Sequence, residues 1–235
     1  LDVQDLWPES VTASGMLRGR WVHRILSWCC AFAYRRAKRI VVLSEGYKSL
    51  LLKRGAREDQ VSVVYNWCDP DHEQAALLEG VNDSLHLQGT FNVVYAGNLG
   101  ELQALDHVIR AARLLQDSLP TVRIVFVGAG TQEAHLKELT GQLALRNVTF
   151  TPRLPTNRLP EVLRFASVLL VHLKRDPLSE VGIPQKTQAY LASGIPVLCA
   201  VEGEASRLVE RSGGGIACRA ESPKALAEAI VALAR

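Results

Sequence analysis

Beyond residue 90 the chain alternates short, β-branched apolar runs with amphipathic stretches, and this alternation limits the fold more than any other feature. The run NVVYAG (92–97) comes first, followed by Leu105, Val108, Ile109, Ala112 and Leu115. Their spacing of i, i+3, i+4, i+7 and i+10 predicts a helix with one apolar face. The unit recurs as 122–128 with 131–143, 147–151 with a helix near 158–165, and 167–173 with a helix from Pro184. It recurs again as 195–200 with 204–211, and as 214–219 with 222–235, where Ser222 stands ready to cap and Pro223 takes the first helical position. Near-continuous apolar strands separated by helices predict a parallel sheet covered on both faces, a doubly wound Rossmann-like domain.

Ahead of residue 66 the same rhythm is weaker: strands at 1–6, 39–44 and 61–66, a basic helix over about 18–38, and a helix at 45–54. Three strands would leave an open outer edge, so this region reads as the last part of another α/β domain. The stretch from 66 to 89 loses its periodicity and gathers Asp, Asn and Gly, as an interdomain linker does. The expected layout is 1–66 as the incomplete N-terminal domain, 67–90 as linker and 91–235 as the C-terminal domain. Opening on Leu1 and ending inside a helical pattern, the chain reads as part of a longer protein.

No apolar run approaches the roughly 18–20 residues of a membrane-spanning helix. Five cysteines without a C-x-x-C pair read as reduced thiols of a cytoplasmic protein, with no metal expected. Residues 1–60 hold 11 Lys/Arg against 6 Asp/Glu, and the remainder holds 16 against 18. The basic excess centres on 18–39, where Arg mixes with Trp and Leu as in interfacial helices, so this segment is a candidate for peripheral contact at the inner face of the plasma membrane. A core helix with a charged flank would look the same. Nucleic acid is disfavoured, since no aromatic-basic stripe continues elsewhere.

In open α/β sheets ligands lie beyond the carboxyl ends of the strands. There Gly97 and Gly100 would let the backbone approach a phosphate. The GAGTQE loop (128–133) carries Glu133 in place of the third glycine of a dinucleotide fingerprint, which argues against NAD. Lys186 falls in the first turn of a helix, so its ammonium and the helix N-terminus both favour an anion. Arg153 and Lys174 follow two other strands and could face the same crevice. With no G-x-S-x-G, Walker A or H-E-x-x-H sequence, hydrolase, ATPase and zinc-protease chemistry is disfavoured.

The series DLWPES (5–10), VVLSEGYKSLL (41–51), VYNWCD (64–69), VYAGNLG (94–100), LVHLKRDPL (170–178) and IPQKTQAYLASGIPVL (183–198) resembles bacterial family 4 glycosyltransferases. Within these it is similar to the N-acetyl-fucosaminyl transferases of surface-polysaccharide assembly. The resemblance implies a GT-B fold of two Rossmann-like domains, a retaining transfer from a nucleoside-diphosphate sugar, most simply UDP-linked, to a lipid-linked or saccharide acceptor, and no cofactor or obligatory metal. It places Gly97 and Asn98 against the diphosphate, Lys186 on its oxygens, and Arg153 with Leu154 around the base, while Gly100 and Lys174 join the expected donor site by their positions after strand ends. Asp5, Trp7 and Glu9 would line the acceptor side.

Three departures stand out. Asn98 and Gln103 occupy positions where many members carry Arg and Lys. Ala189 replaces the second Glu of a Glu-x7-Glu pair, with Val181 at the first position and Glu180 one residue away as the candidate catalytic carboxylate. Gln4 precedes Asp5 where relatives have His-Asp. A nucleotide-sugar epimerase of the same fold and a non-catalytic nucleotide-sugar-binding protein remain as alternatives.

Overall fold

The computed structural model describes residues 1–8, 19–67, 87–155 and 158–235. Its contacts divide the chain into two compact units, Leu1–Trp67 with Asp176–Ile183, and Cys68–Arg175 with Pro184–Arg235. Glu9 and most of the segment expected as linker lie outside the described residues.

The first unit holds a three-stranded parallel sheet in the order β1 (Asp2–Val3), β2 (Ile40–Val42), β3 (Val61–Val63). Each strand is shorter than its apolar run suggested. Helix α1 (Arg20–Arg36) joins β1 to β2, and helix α2 (Glu45–Lys53) leads from β2 towards β3. Ser44 starts α2 by accepting a 3.0 Å bond from the Tyr47 amide, the side-chain cap that frees a helix from one orphan donor. Val3, Leu6, Tyr34, Ile40, Val42 and Leu51 form the core.

The same core takes in Leu178 and Val181 from a short helix near the middle of the second half of the chain. Asp176 caps that helix by accepting from the Leu178 amide at 2.8 Å, and Pro177 supplies its fixed first φ. This Asp-Pro start was present in the sequence and was not read as a helix.

The second unit is a six-stranded, wholly parallel sheet. In chain order its strands are β4 (Phe91–Ala96), β5 (Val122–Val127), β6 (Val148–Thr151), β7 (Val168–His172), β8 (Val197–Ala200) and β9 (Gly215–Ala217). In space they run β6-β5-β4-β7-β8-β9. This is the 3-2-1-4-5-6 order of the Rossmann fold.

Alternate residues of each strand point to opposite faces. Val93, Tyr95, Ile124, Phe126, Leu170 and Leu198 meet α3 (Asp106–Gln116), α4 (Glu133–Gln142) and α9 (Pro223–Leu233). Val94, Ala96, Val125, Leu169, Val171 and Val197 meet α5 (Leu159–Leu163), α7 (Gln185–Ala192) and α8 (Glu204–Ser212). The short helix inserted between β7 and α7 is α6 (Pro177–Val181). The cap expected at Ser222 is present, with the Ala225 amide 3.3 Å from its hydroxyl. Because the connection changes face between β4 and β7, a crevice opens beyond the carboxyl ends of these two strands.

Candidate functional site

The loop after β4 is shaped by what touches it. Gly97 has φ 147 and Gly128 φ 151, backbone that side chains rarely adopt, and a Cβ on Gly128 would overlap the Gly97 carbonyl. Two parallel strands can therefore bring their ends together only with glycine at both positions. The amides of Gly97 and Leu99 are bound to the carbonyls of Val127 and Ala129, at 2.9 and 3.0 Å. The Gly100 amide donates to Gln103 Oε1 at 3.1 Å, and Asn98 Nδ2 reaches the same oxygen at 3.3 Å.

From the sequence, Gly97 and Gly100 are expected to let the backbone approach a phosphate. In the structure the amides of Gly97, Leu99 and Gly100 serve the fold. A turn of 3-10 helix (Glu101–Gln103) intervenes before α3, whose first residue is the acidic Asp106. Gly97 and Asn98 remain exposed, while Gly100 is buried.

Lys186, the second residue of α7, comes to this loop from the other side of the crevice. Its Nζ lies 3.9 Å from the centroid of the Tyr95 ring, a cation-π contact. A Cβ placed on Gly97 would stand 2.8 Å from the same ammonium. Among the described residues no carboxylate pairs with it, and burial pushes its pKa down to about 8. A desolvated cation without a counter-charge is costly unless an anion joins it.

The helix that carries it is fixed by Tyr190. Its hydroxyl donates to the Ala96 carbonyl and accepts from the Ala96 amide, both at 3.0 Å. Burial raises the Tyr190 pKa to about 12, so this bridge stays neutral. Tyr95 in turn donates to the Asn98 carbonyl at 2.8 Å.

Gly97, Asn98, Arg153 and Leu154 line one cavity of about 270 Å³, together with Ala96, Val127, Gly128, Ala129 and Leu159. Lys174 is elsewhere. It lines a separate cavity of about 160 Å³ with Asp106, His107, Gln132, His135 and Glu221. The expectation that Arg153 and Lys174 share one crevice is thereby corrected. The Lys174 amide donates to the Leu102 carbonyl at 2.8 Å, which ties the residues after β7 to the far side of the 101–103 turn.

His172 ends β7 fully buried, with Nδ1 2.7 Å from the Gln103 carbonyl. Its ring stacks on His107 at 6.4 Å. Burial drives its pKa down to about 4, so the ring is neutral and Nδ1, facing a carbonyl, carries the proton.

The first unit carries the remaining candidates. Glu180 stands exposed on α6. Asp5 and Trp7 are exposed after β1, where the Asp5 carbonyl accepts from the Trp7 amide at 3.2 Å and the Trp7 carbonyl accepts from Arg54 at 2.9 Å. Cys29, Cys199 and Cys218 are in no disulfide, and burial raises Cys199 to about 11 and Cys218 to about 12. Among the described residues no helix is long and apolar enough to cross a membrane.

A six-stranded parallel sheet in the order 3-2-1-4-5-6, with Lys186 against the glycine loop after its first strand, defines a Rossmann-like α/β domain. The model of the family "Glycosyl transferases group 1" matches residues 90–235. The chain belongs to that family. It is 24% identical over 237 residues to the probable glycosyltransferase WbjE of Pseudomonas aeruginosa, covering 97% of this chain and 58% of that protein. It is 29% identical over 198 residues to the putative colanic acid biosynthesis glycosyl transferase WcaI of Escherichia coli, covering 81% and 48%. The chain thus spans about half the length of these relatives.

Among solved structures, HepE of Anabaena in complex with UDP and glucose matches with a TM-score of 0.77 at 18% identity, over 100% of this chain and 61% of that one. The fold is therefore that of the GT-B glycosyltransferases.

Proposed function

We propose that residues 91–235 hold the donor of a retaining glycosyltransferase, a nucleoside-diphosphate sugar. Residues 1–66 belong to the acceptor side, and 67–90 connect the two. The observation that carries this reading is Lys186: a desolvated ammonium without a carboxylate partner among the described residues, held on the Tyr95 ring beside Gly97. A diphosphate supplies the missing counter-charge, and it is also the leaving group whose growing negative charge a fixed cation stabilises. Arg153 and Leu154 border the cavity next to Gly97 and suit a base. UDP is the nucleotide bound in HepE, and it is the first candidate here.

WcaI is described as a putative colanic acid biosynthesis glycosyl transferase, which supports a role in surface-polysaccharide synthesis; the donor sugar proposed with it is of the N-acetyl-fucosamine type and the acceptor lipid-linked or a saccharide. Glu180, Asp5, Trp7 and Glu9 are proposed on the reacting and acceptor side. An epimerase would need no acceptor, so lengthening of an acceptor by the full-length protein separates the two activities.

The outer face of α1 supports a peripheral membrane contact for such a transferase. Trp21, Ile25, Trp28 and Phe32, spaced i, i+4, i+7 and i+11, are 77%, 59%, 64% and 46% exposed, on the side opposite Leu26, Cys30 and Tyr34. Arg24, Arg35 and Arg36 are exposed along this stripe, and the helix contains no acidic residue. An outward apolar stripe edged by arginine is the pattern of a helix lying in a bilayer interface.

The donor site is tested by titrating full-length protein with UDP and with uridine. Lys186→Ala should weaken UDP by about 1.5–3 kcal/mol, the range for a hydrogen bond to a charged group, and leave uridine nearly unchanged. Equal losses for both would remove the lysine from the phosphate site.

A further inference from the structure

Gln103 closes the short 3-10 turn (Glu101–Gln103) that follows the glycine loop. In the structure its side chain turns inward: Oε1 accepts from the Gly100 amide and from Asn98 Nδ2. The backbone of the same residue is held from β7, where the Gln103 carbonyl accepts the Nδ1 proton of buried His172 at 2.7 Å. One residue along, the Leu102 carbonyl accepts the Lys174 amide at 2.8 Å. The 101–103 turn is therefore clamped to the end of β7 by two bonds, and it grips the exposed Asn98 through a third.

The other ring nitrogen of His172, Nε2, is buried without a hydrogen-bond partner. A buried polar atom left unsatisfied costs stability, so the imidazole is a poor choice for packing alone. Among the described residues its hydrogen bond is the one to Gln103.

We propose that His172 and Gln103 are positioning residues for the diphosphate: His172 locks the 101–103 turn, and Gln103 transmits that lock to Asn98 and the Gly97–Gly100 loop beside Lys186. The inference rests on the donor-site reading above. The loop supplies a fixed, uncharged wall, with Lys186 held against Gly97 and Arg153 lining the cavity that Gly97 and Asn98 also border. Geometry matters here because a charge-assisted contact with phosphate weakens quickly when its partner shifts.

The test uses full-length protein and the ratio of UDP to uridine affinity. His172→Phe keeps a ring and removes the donor. His172→Asn places an amide Nδ2 where Nδ1 was, both being bonded to Cγ. The expected result is about a tenfold fall in the ratio for His172→Phe, equivalent to ~1.4 kcal/mol, with the ratio restored to within about twofold by His172→Asn. Gln103→Leu, which leaves His172 untouched, should reproduce the fall and serves as the second variant should His172→Phe not fold.

An unchanged ratio in Gln103→Leu, or equal falls in His172→Phe and His172→Asn, would overturn the positioning role while leaving the donor site standing. Wild-type protein that binds UDP no more tightly than uridine would instead overturn the donor-site reading itself.

Discussion

The two units solve the burial problem differently. In the second, helices pack on both faces of the sheet, and its central strands β4, β5 and β7 are apolar and buried almost throughout. In the first, three short strands support one small core, and α1 presents apolar side chains to both sides. Where burial is complete, a polar group inside must have a task, as Tyr190 and His172 do. Where it is incomplete, the apolar residues themselves call for a partner.

The contrast can be broken in four places, taken from the largest effect to the smallest. Phe126 is fully buried between Tyr95 and Phe150, so Phe126→Ala should cost about 3–5 kcal/mol in denaturant melts. A loss under about 1 kcal/mol would mean that the sheet of the second unit is not packed as described.

Tyr190→Phe removes one hydroxyl and strands both polar groups of Ala96, for an expected loss of about 1–3 kcal/mol. Uridine binding should survive, while UDP binding should fall as α7 loosens. Unaltered stability would show that the bridge to β4 carries nothing.

Lys186→Met should stabilise the apo protein. The folded pKa of about 8 lies below the ordinary 10.5, so the native state binds fewer protons between these values and stability rises with pH across that window. The cost of the buried charge is complete below pH 8 and absent above 10.5. The variant should therefore melt about 2–4 °C higher below pH 8, the shift that ~1 kcal/mol brings at this size, with the gap closing above it. In the wild type, UDP affinity should decline as pH rises through 8, because neutral Lys186 no longer attracts the diphosphate. A gap that widens with pH would contradict the assignment.

Trp28→Ala, although it deletes a large side chain, should change stability by less than about 0.5 kcal/mol. It should, however, reduce co-sedimentation of the full-length protein with anionic vesicles. A loss of stability comparable to that of Phe126→Ala would place the outer stripe of α1 inside a protein core and remove the membrane contact.

Much of the second unit was legible in the sequence because its strands and helices have distinct apolar periods, which are local properties. The cap at Ser222 could be read in the same way. The Asp176–Pro177 helix start was equally local and was overlooked among the residues between β7 and α7. The first unit was read less well: its strands are shorter than their apolar runs, since a strand extends only as far as a neighbour pairs with it.

The sequence by itself determined the alternation of strand and helix, and with it a parallel sheet with glycine loops at the carboxyl ends of its strands. Tertiary structure alone decided what those loops do. Lys186 meets Tyr95, and His172 meets Gln103, across separations of 91 and 69 residues. Lys174 follows a strand just as Arg153 does, and it faces a different cavity. Such pairings depend on strand order and on which face each helix covers, and no local period encodes either; they emerge only when the sheet closes and each buried polar group must find its partner.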